Sequence, residues 1–364
     1  MTAANTKAGG PSSAARRFSL AQALLEGRAF FALIAIVAVF SFLSPNYLTV
    51  SNLLTMATHV ALFGILAIGM LFVILNGGID LSVGSTLGLS GVFAGFLMQG
   101  VMLAPLGVIL YPPVWVVALL VCGLGAVIGA LNGVLISRFK VPPFVASLGV
   151  MYVARGVALL ITNGLTYNNL AGRADLGNTG FDWLGFNRLL GIPIGVLVLA
   201  ILALIGGITL NRTAFGRWLY ASGGNERAAD LSGVPVRAVK IAVYVISGVC
   251  AAIAGLILSS QLTSAGPTAG NSYELTAIAA VVVGGAALTG GRGTIRGTLL
   301  GAFVIGFLSD GLVIIGVSSY WQTVFTGAVI VLAVMLNAVQ YRPRGRRSGS
   351  TEAATASPQQ GARK

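Results

Sequence analysis

Apolar runs of about 20 residues, separated by short polar or glycine-rich breaks, repeat along most of this chain. A helix needs about 20 residues to cross the roughly 30 Å hydrocarbon core of a bilayer. The pattern therefore predicts an all-α integral membrane protein with about 10 transmembrane helices. The predicted spans are 29–48, 56–75, 80–98, 114–136, 143–162, 191–210, 239–260, 274–289, 297–316 and 320–339.

The third predicted span, 80–98, is less regular than the others. It begins directly after Asn76-Gly77-Gly78 and is rich in glycine and serine. Because glycine weakens a helix interior by about 0.5–1 kcal/mol relative to alanine, we expect this span to be bent or to cross only part of the bilayer. The count of ten spans is therefore approximate.

The composition excludes a water-soluble fold. Hydrophobic residues make up 56% of the chain and charged residues 9%, whereas soluble domains carry about 25% charged residues. The 50 glycines favour closely packed helices over a barrel, since small residues let helix backbones approach each other in a bilayer. Glycines four residues apart, which predict such contacts, occur at Gly84/Gly88, Gly91/Gly95, Gly125/Gly129/Gly133 and Gly297/Gly301.

The distribution of basic residues orients the spans. With a cytoplasmic N-terminus, 19 of the 22 Lys and Arg residues fall in inside segments, and two, Arg173 and Arg188, fall outside. Cytoplasmic loops of membrane proteins carry this excess of positive charge. The pattern predicts that both termini are cytoplasmic, and it explains the net charge of +13 without a nucleic-acid partner.

The predicted transmembrane domain covers residues 29–340 and lies between two tails. Residues 1–28 are expected to form a disordered cytoplasmic tail, and residues 341–364 a basic disordered one. No small-x-small cleavage site follows the first span, so we expect an uncleaved anchor. The long polar segment 163–190 is predicted to lie outside and the segment 211–240 inside.

No catalytic or metal-binding pattern stands out in the sequence. Cys122 and Cys250 lie inside apolar runs, the one histidine is His59, and the absence of any Gly-Lys pair excludes a Walker A loop. We therefore predict no enzymatic activity, no metal site and no cofactor bound by this chain. His59 is expected to be a packed or interfacial imidazole rather than part of a proton relay.

The segment from Asn225 to Gly233 has the features of a short helix within the inside segment 211–240. Asn225 is a good N-cap, Gly233 favours the left-handed backbone that ends a helix, and Pro235 prevents its continuation. A capped cytoplasmic helix between two spans can dock on a partner protein and receive its movement. An ordinary interfacial loop is the alternative.

Two charged residues, Arg155 and Asp310, lie deep inside predicted spans. A charged side chain at the bilayer centre costs at least about 2.5 kcal/mol on insertion scales, so it needs a partner or a wet cavity. The two residues could pair, line a polar path, or form structural contacts between helices. Asp80 and Glu274 lie at span ends, where a helix cap or a headgroup contact is expected.

Short motifs spread over residues 30–337 carry a family resemblance. They are Asn76-Gly77-Gly78-Ile79-Asp80-Leu81-Ser82-Val83-Gly84-Ser85, Val141-Pro142-Pro143-Phe144-Val145-Ala146-Ser147-Leu148-Gly149, Ala154-Arg155-Gly156, Ile161-Thr162-Asn163-Gly164, Gly216-Arg217, Gly223-Gly224-Asn225-Glu226, Ala228-Ala229, Ser232-Gly233, Gly284-Gly285 and Gly290-Gly291-Arg292-Gly293-Thr294. Each is weak alone. Together they resemble the ribose-type permease subunits of bacterial ATP-binding-cassette monosaccharide importers.

The resemblance implies a homodimer in the lipid of the bacterial inner membrane, which imports a ribose-like pentose or a related monosaccharide by alternating access. It also implies a cytoplasmic two-cassette ATPase, which binds ATP-Mg, and a periplasmic sugar-binding protein. The coupling helix, which meets the ATPase, is expected at Asn225, Glu226, Arg227, Ala228, Ala229, Asp230, Leu231 and Gly233. Candidate residues of the translocation path are Asn76, Asp80, Ser82, Ser85, Arg155 and Asp310.

Other functions and substrates stay open at the level of sequence. A secondary transporter driven by an ion gradient usually needs a relay of several acidic or histidine residues. Asp310 and Arg155 alone are weak evidence for such a relay. The chain departs from the family that it resembles at one position: Asp310 lies in segment 308–316, where the resemblance implies an asparagine. A membrane-embedded enzyme lacks its catalytic groups. Related permeases carry branched-chain amino acids, nucleosides or a furanose signal molecule, and the motifs do not separate these substrates.

Overall fold

The computed structural model describes residues 28–103 and 107–340, and this part of the chain is mostly helical. The predicted tails 1–28 and 341–364 lie outside the described residues, apart from Arg28. The helices are α1 (Arg28–Leu43), α2 (Val50–Leu75), α3 (Val83–Met98), α4 (Val114–Ser137), α5 (Pro143–Thr162), α6 (Trp183–Phe186), α7 (Ile194–Arg212), α8 (Ala214–Gly224), α9 (Glu226–Leu231), α10 (Val236–Leu262), α11 (Tyr273–Val283), α12 (Ile295–Ile314) and α13 (Ser319–Gln340).

Short antiparallel strand pairs connect some of these helices. The strands are β1 (Val101–Leu103), β2 (Val108–Leu110), β3 (Tyr167–Asn168), β4 (Arg188–Leu189), β5 (Ile192–Pro193) and β6 (Ser264–Ala265), and a 3-10 turn covers Ala174–Leu176. β1 pairs with β2 and β4 with β5 as hairpins, whereas β3 pairs with the distant β6. The β3–β6 pair ties the long polar segment 163–190 to the end of α10.

Each of the ten predicted spans overlaps one of the helices. Within the described residues, six helices (α2, α4, α5, α7, α10 and α12) are long and apolar enough to cross a membrane, and α1, α3 and α11 are shorter apolar helices. The all-helical membrane class is therefore confirmed, while the number of ten crossings stays a prediction.

Several span boundaries differ from the predicted ones for local reasons. α1 ends at Leu43 rather than near residue 48, because a residue that precedes proline is unfavourable in a helix and Pro45 follows Ser44. α11 ends at Val283 rather than near residue 289, because Gly284 and Gly285 follow it and Gly285 has a φ of +94°. The third span is shorter than the predicted 80–98, since α3 begins only at Val83 and has 16 residues.

The core of the bundle lies around α2, whose residues from Val60 onward are almost all buried. α10 packs on α2, α3 and α4. Gly125, Gly129 and Gly133 of α4 all face α10, and a Cβ at Gly129 would overlap the carbonyl oxygen of Tyr244. The close helix contacts predicted from glycine spacing are confirmed at this interface.

The chain between α10 and α11 turns back into the bundle alongside α3. Ala265 packs against Gly95 near the end of α3, whereas Gly270 packs against Gly84 near its start. Gly84 and Gly95 are about 16 Å apart along the axis of α3, at 1.5 Å per residue. Segment 263–272 is therefore re-entrant, and α11 starts about halfway through the thickness of a hydrocarbon core.

Candidate coupling and translocation sites

The predicted short helix is present as α9, and its caps are those expected from the sequence. The Asn225 side chain accepts a hydrogen bond from the Ala228 N–H at 3.0 Å. Gly233 has a φ of +83°, and Pro235 follows it. Because all of these signals are local, the sequence alone was sufficient to place the helix.

α9 presents most of its surface to the outside of the chain. Ala229 is its buried residue, whereas Leu231 is 82% exposed. The Lys240 ammonium of α10 lies 2.7 Å from Glu226 Oε2 and so links α9 to the adjoining span. α9 is thus an exposed helix that is attached at one end to α10.

α9 follows a close junction of three chain segments, 75–78, 222–224 and 290–293, which we call the glycine junction. The Gly291 N–H donates to the Leu75 carbonyl at 2.9 Å. A Cβ at Gly223 would overlap both the Leu75 oxygen and the Gly291 nitrogen. The Asn76 side-chain amide donates to Ser222 Oγ at 2.9 Å. The end of α8 is therefore in backbone contact with the end of α2 and with the loop between α11 and α12.

A tyrosine completes the contact between α8 and that loop. The Tyr220 hydroxyl donates to the Gly293 carbonyl at 2.8 Å. Burial raises the pKa of the Tyr220 phenol, so the hydroxyl keeps its proton and its donor role at neutral pH. The position of α8 is consequently linked to the start of α12, which follows Gly293.

Asp80 is the centre of a buried polar cluster at the entry to α3. Its carboxylate, in a residue that is 1% exposed, accepts hydrogen bonds from the Ser82 N–H at 3.0 Å, Ser82 Oγ at 2.6 Å and Ser247 Oγ at 2.8 Å. The Asn132 amide donates to Ser82 Oγ at 2.9 Å. The Asp80 side chain closes a local turn onto Ser82 and does not cap α3, whose N-cap is Ser82. A headgroup contact is wrong because the residue is buried.

Arg155 of α5 holds the re-entrant segment 263–272. Its guanidinium donates to the carbonyl oxygens of Pro267 and Ala269, the second at 2.8 Å. Irregular backbone inside a membrane needs such partners, because lipid offers no hydrogen bonds to free carbonyl groups. Arg155 is half-buried, so one side of this site is open.

Glu274, in the first turn of α11, adds a negative charge to the same place. Its carboxylate rests against Gly84, where a Cβ would overlap Oε2, and its charge interacts with Arg155 without a direct ion pair. A carboxylate in the first turn also interacts favourably with the N-terminal end of the helix dipole. Arg155, Glu274 and the carbonyls of the re-entrant segment thus form one polar site.

Asp310 pairs with His59 rather than with Arg155. The His59 Nδ1 lies 2.6 Å from Asp310 Oδ1, which joins α12 to α2. The other carboxylate oxygen of Asp310 has no hydrogen-bond partner among the described residues. The His59 side chain is 48% exposed. The open alternative of an Arg155–Asp310 pair is wrong, because the partner of Asp310 is His59.

Comparisons with known proteins decide the family. Residues 52–334 match the family described as branched-chain amino acid transport system / permease component. The chain belongs to this permease family. It is 43% identical to the ribose import permease protein RbsC of Escherichia coli (strain K12) over 323 residues, which cover 88% of this chain and 96% of the relative.

Other relatives of the permease are similarly close. RbsC of Bacillus subtilis (strain 168) is 46% identical over 309 residues, with 85% of this chain and 91% of the relative covered. The xylose transport system permease protein XylH of Escherichia coli (strain K12) is 36% identical over 366 residues, with the same coverage of 85% and 91%. No solved structure matches the permease.

The six predicted path residues of the permease lie in four separate places. Asn76 belongs to the glycine junction, Arg155 to the re-entrant site and Asp310 to the contact with His59. The remaining three, Asp80, Ser82 and Ser85, are buried at the start of α3. Their role in translocation stays a prediction.

Glu274 was not among the predicted site residues of the permease. The sequence places it at the start of an apolar run that ends at Gly284-Gly285, and this run is too short to span a bilayer. That short length was the available signal that Glu274 lies inside the bundle rather than at a membrane surface.

Proposed function

We propose that this permease is the membrane-spanning subunit of an ATP-driven importer for a simple sugar, a ribose-like pentose or a related monosaccharide. The proposal is supported by the family and by the ribose and xylose permeases that are 36–46% identical over most of the chain. ATP-Mg binds to a separate two-cassette ATPase, and a periplasmic binding protein delivers the sugar.

The capped helix α9 and its contact with the glycine junction carry the proposal of ATP coupling. A movement of the ATPase displaces α9, and the backbone contacts around Gly223 pass this movement to α2 and to loop 284–294. That loop directly follows α11, whose first turn holds Glu274. One short helix therefore connects the glycine junction to the re-entrant site, which is the kind of packed connection that alternating access requires.

The orientation of the chain follows from the charge distribution. The excess of Lys and Arg on one side supports a topology with both termini and α9 in the cytoplasm and the long segment 163–190 in the periplasm. In this topology the chain crosses the bacterial inner membrane about ten times. The tails 1–28 and 341–364 flank the permease domain 29–340 on the cytoplasmic side.

The re-entrant site is the proposed polar wall of the translocation path. Asn271 and Ser272 are exposed beside the partly exposed Arg155 and Glu274, and non-helical backbone at this depth is tolerated where it lines a water-filled cavity. A homodimer encloses such a path between two copies.

The coupling role predicts the effect of a charge reversal on α9. Glu226→Arg together with Asp230→Arg is expected to lower sugar-stimulated ATP hydrolysis at least about tenfold, equivalent to 1.4 kcal/mol of coupling energy. The measurement uses the complex of permease, ATPase and binding protein in proteoliposomes.

A matched control reverses two acidic residues on the opposite side of the chain. Asp175→Arg with Asp182→Arg makes the same change of charge in segment 163–190. Both double variants are also compared by basal ATP hydrolysis in detergent without the binding protein, where this control should match the wild type and the α9 variant should not. Normal coupling in the α9 variant, with normal amounts of inserted protein, contradicts the proposed function of α9.

A further inference from the structure

A groove of about 680 Å³ lies beside α9, on the side of the loop that joins α4 to α5. Its lining comes from α9, from Pro235 and the start of α10, and from Lys140 of this loop, residues 138–142. All five of its charged lining residues are exposed: Lys140, Glu226, Arg227, Asp230 and Arg237. The groove therefore joins the coupling helix to a second, distant part of the sequence.

The groove carries an excess of positive charge. The carboxylate of Glu226 is neutralised by Lys240 at 2.7 Å. In the part of the chain that the structure describes, Lys140, Arg227 and Arg237 form no ion pair. Three cations thus face one remaining carboxylate, Asp230, and the surface favours an acidic partner.

Two exposed apolar side chains are adjacent in sequence to residues that line the groove. Phe139 in the loop is 66% exposed, and Leu231 at the end of α9 is 82% exposed. Lys140 next to Phe139 has a φ of +59°, a left-handed conformation that is uncommon for residues other than glycine. Exposed apolar anchors beside charged groups are typical of protein interfaces.

We propose that loop 138–142 is a second docking element for the ATPase, and that the groove between this loop and α9 receives an acidic segment of that partner. This inference rests on the proposed function of α9. A protein fits the surface better than anionic lipid does, because one wall of the groove is α9, the proposed contact of the ATPase. Phe139 and Leu231, which are exposed and adjacent in sequence to the lining residues Lys140 and Asp230, add apolar surface for a protein partner.

A charge reversal away from α9 tests the proposal. The purified ATPase is titrated onto nanodiscs that contain the permease with Lys140→Glu and Arg237→Glu, at low salt and at about 0.5 M KCl. We expect binding at low salt to be at least about tenfold weaker than for the wild type, and this difference to shrink at high salt, where charges are screened within a few ångströms. Lys140→Arg with Arg237→Lys, which keeps both charges, should bind like the wild type.

Arg212→Glu with Arg217→Glu is the matched control, since both residues are exposed on the same side but do not line the groove. The inference is overturned if the Lys140 and Arg237 reversal binds the ATPase within about twofold of the wild type while Leu231→Asp weakens binding. That result leaves the proposed function intact. The inference is also overturned if the charge reversal weakens ATPase binding only in nanodiscs that contain phosphatidylglycerol, since the groove then binds anionic lipid. If the wild type itself does not bind the ATPase, the proposed function fails.

Discussion

Replacing Gly223 with alanine is expected to lower sugar-stimulated ATP hydrolysis at least about tenfold, with the protein still inserted in the membrane. The added Cβ overlaps the Leu75 oxygen and the Gly291 nitrogen, which are backbone atoms and cannot rotate away. Overpacking of this kind costs about 1–3 kcal/mol, and it separates α8 from the two segments that it contacts. The rate is measured in proteoliposomes with the ATPase and the binding protein.

Gly224 provides the matched control, because a Cβ at this adjacent position meets nothing within 4 Å. Gly224→Ala makes the same chemical change and should keep most of the wild-type rate. If the two variants hydrolyse ATP at the same sugar-stimulated rate, the backbone contacts of the glycine junction do not carry the movement of α9.

Replacing Arg155 with methionine is expected to destabilise the permease by about 2–4 kcal/mol. The change removes a charged donor from the carbonyls of Pro267 and Ala269, and each such hydrogen bond contributes about 1.5–3 kcal/mol where it is buried. It also leaves Glu274 without the nearby positive charge. The lower part of the range applies if water reaches the open side of Arg155. Thermal unfolding in detergent, followed by gel filtration, measures the loss.

The pairing of charges gives this prediction a second variant. Arg155→Met with Glu274→Gln should recover part of the lost stability, since the uncompensated charge is gone while the two carbonyls still lack a donor. Arg188→Met, at an exposed position in β4, is the control and should unfold like the wild type. Equal stability of the wild type and Arg155→Met contradicts a role for Arg155 in holding the re-entrant segment.

The sequence predicted those elements whose signals are local. α9 was predicted from Asn225, Gly233 and Pro235, which all act within a few residues of the helix. The close packing of α4 was predicted from Gly125, Gly129 and Gly133, although the sequence did not identify α10 as the partner. Hydrophobicity located the spans, because each apolar run is sufficient by itself to indicate a helix.

The contacts that define the candidate sites depend on distant parts of the chain. Arg155 and Ala269 are 114 positions apart, and His59 and Asp310 are 251 apart. No periodicity or spacing in the sequence indicates that the two members of each pair are in contact. The sequence also did not predict that segment 263–272 is re-entrant. Its polar residues are equally typical of an exposed loop, and its depth in the bundle is set by packing against α3.

The most direct test of ATP-driven sugar import is the uptake of radiolabelled ribose into proteoliposomes. The vesicles contain the permease with the two-cassette ATPase bound on the side of α9, and the binding protein is supplied on the other side of the membrane. We expect uptake to require ATP on the side of α9 as well as both partner proteins, and to continue in the presence of a protonophore. Uptake by the permease alone that follows a proton gradient and needs no ATP would contradict this function and favour an ion-coupled transporter.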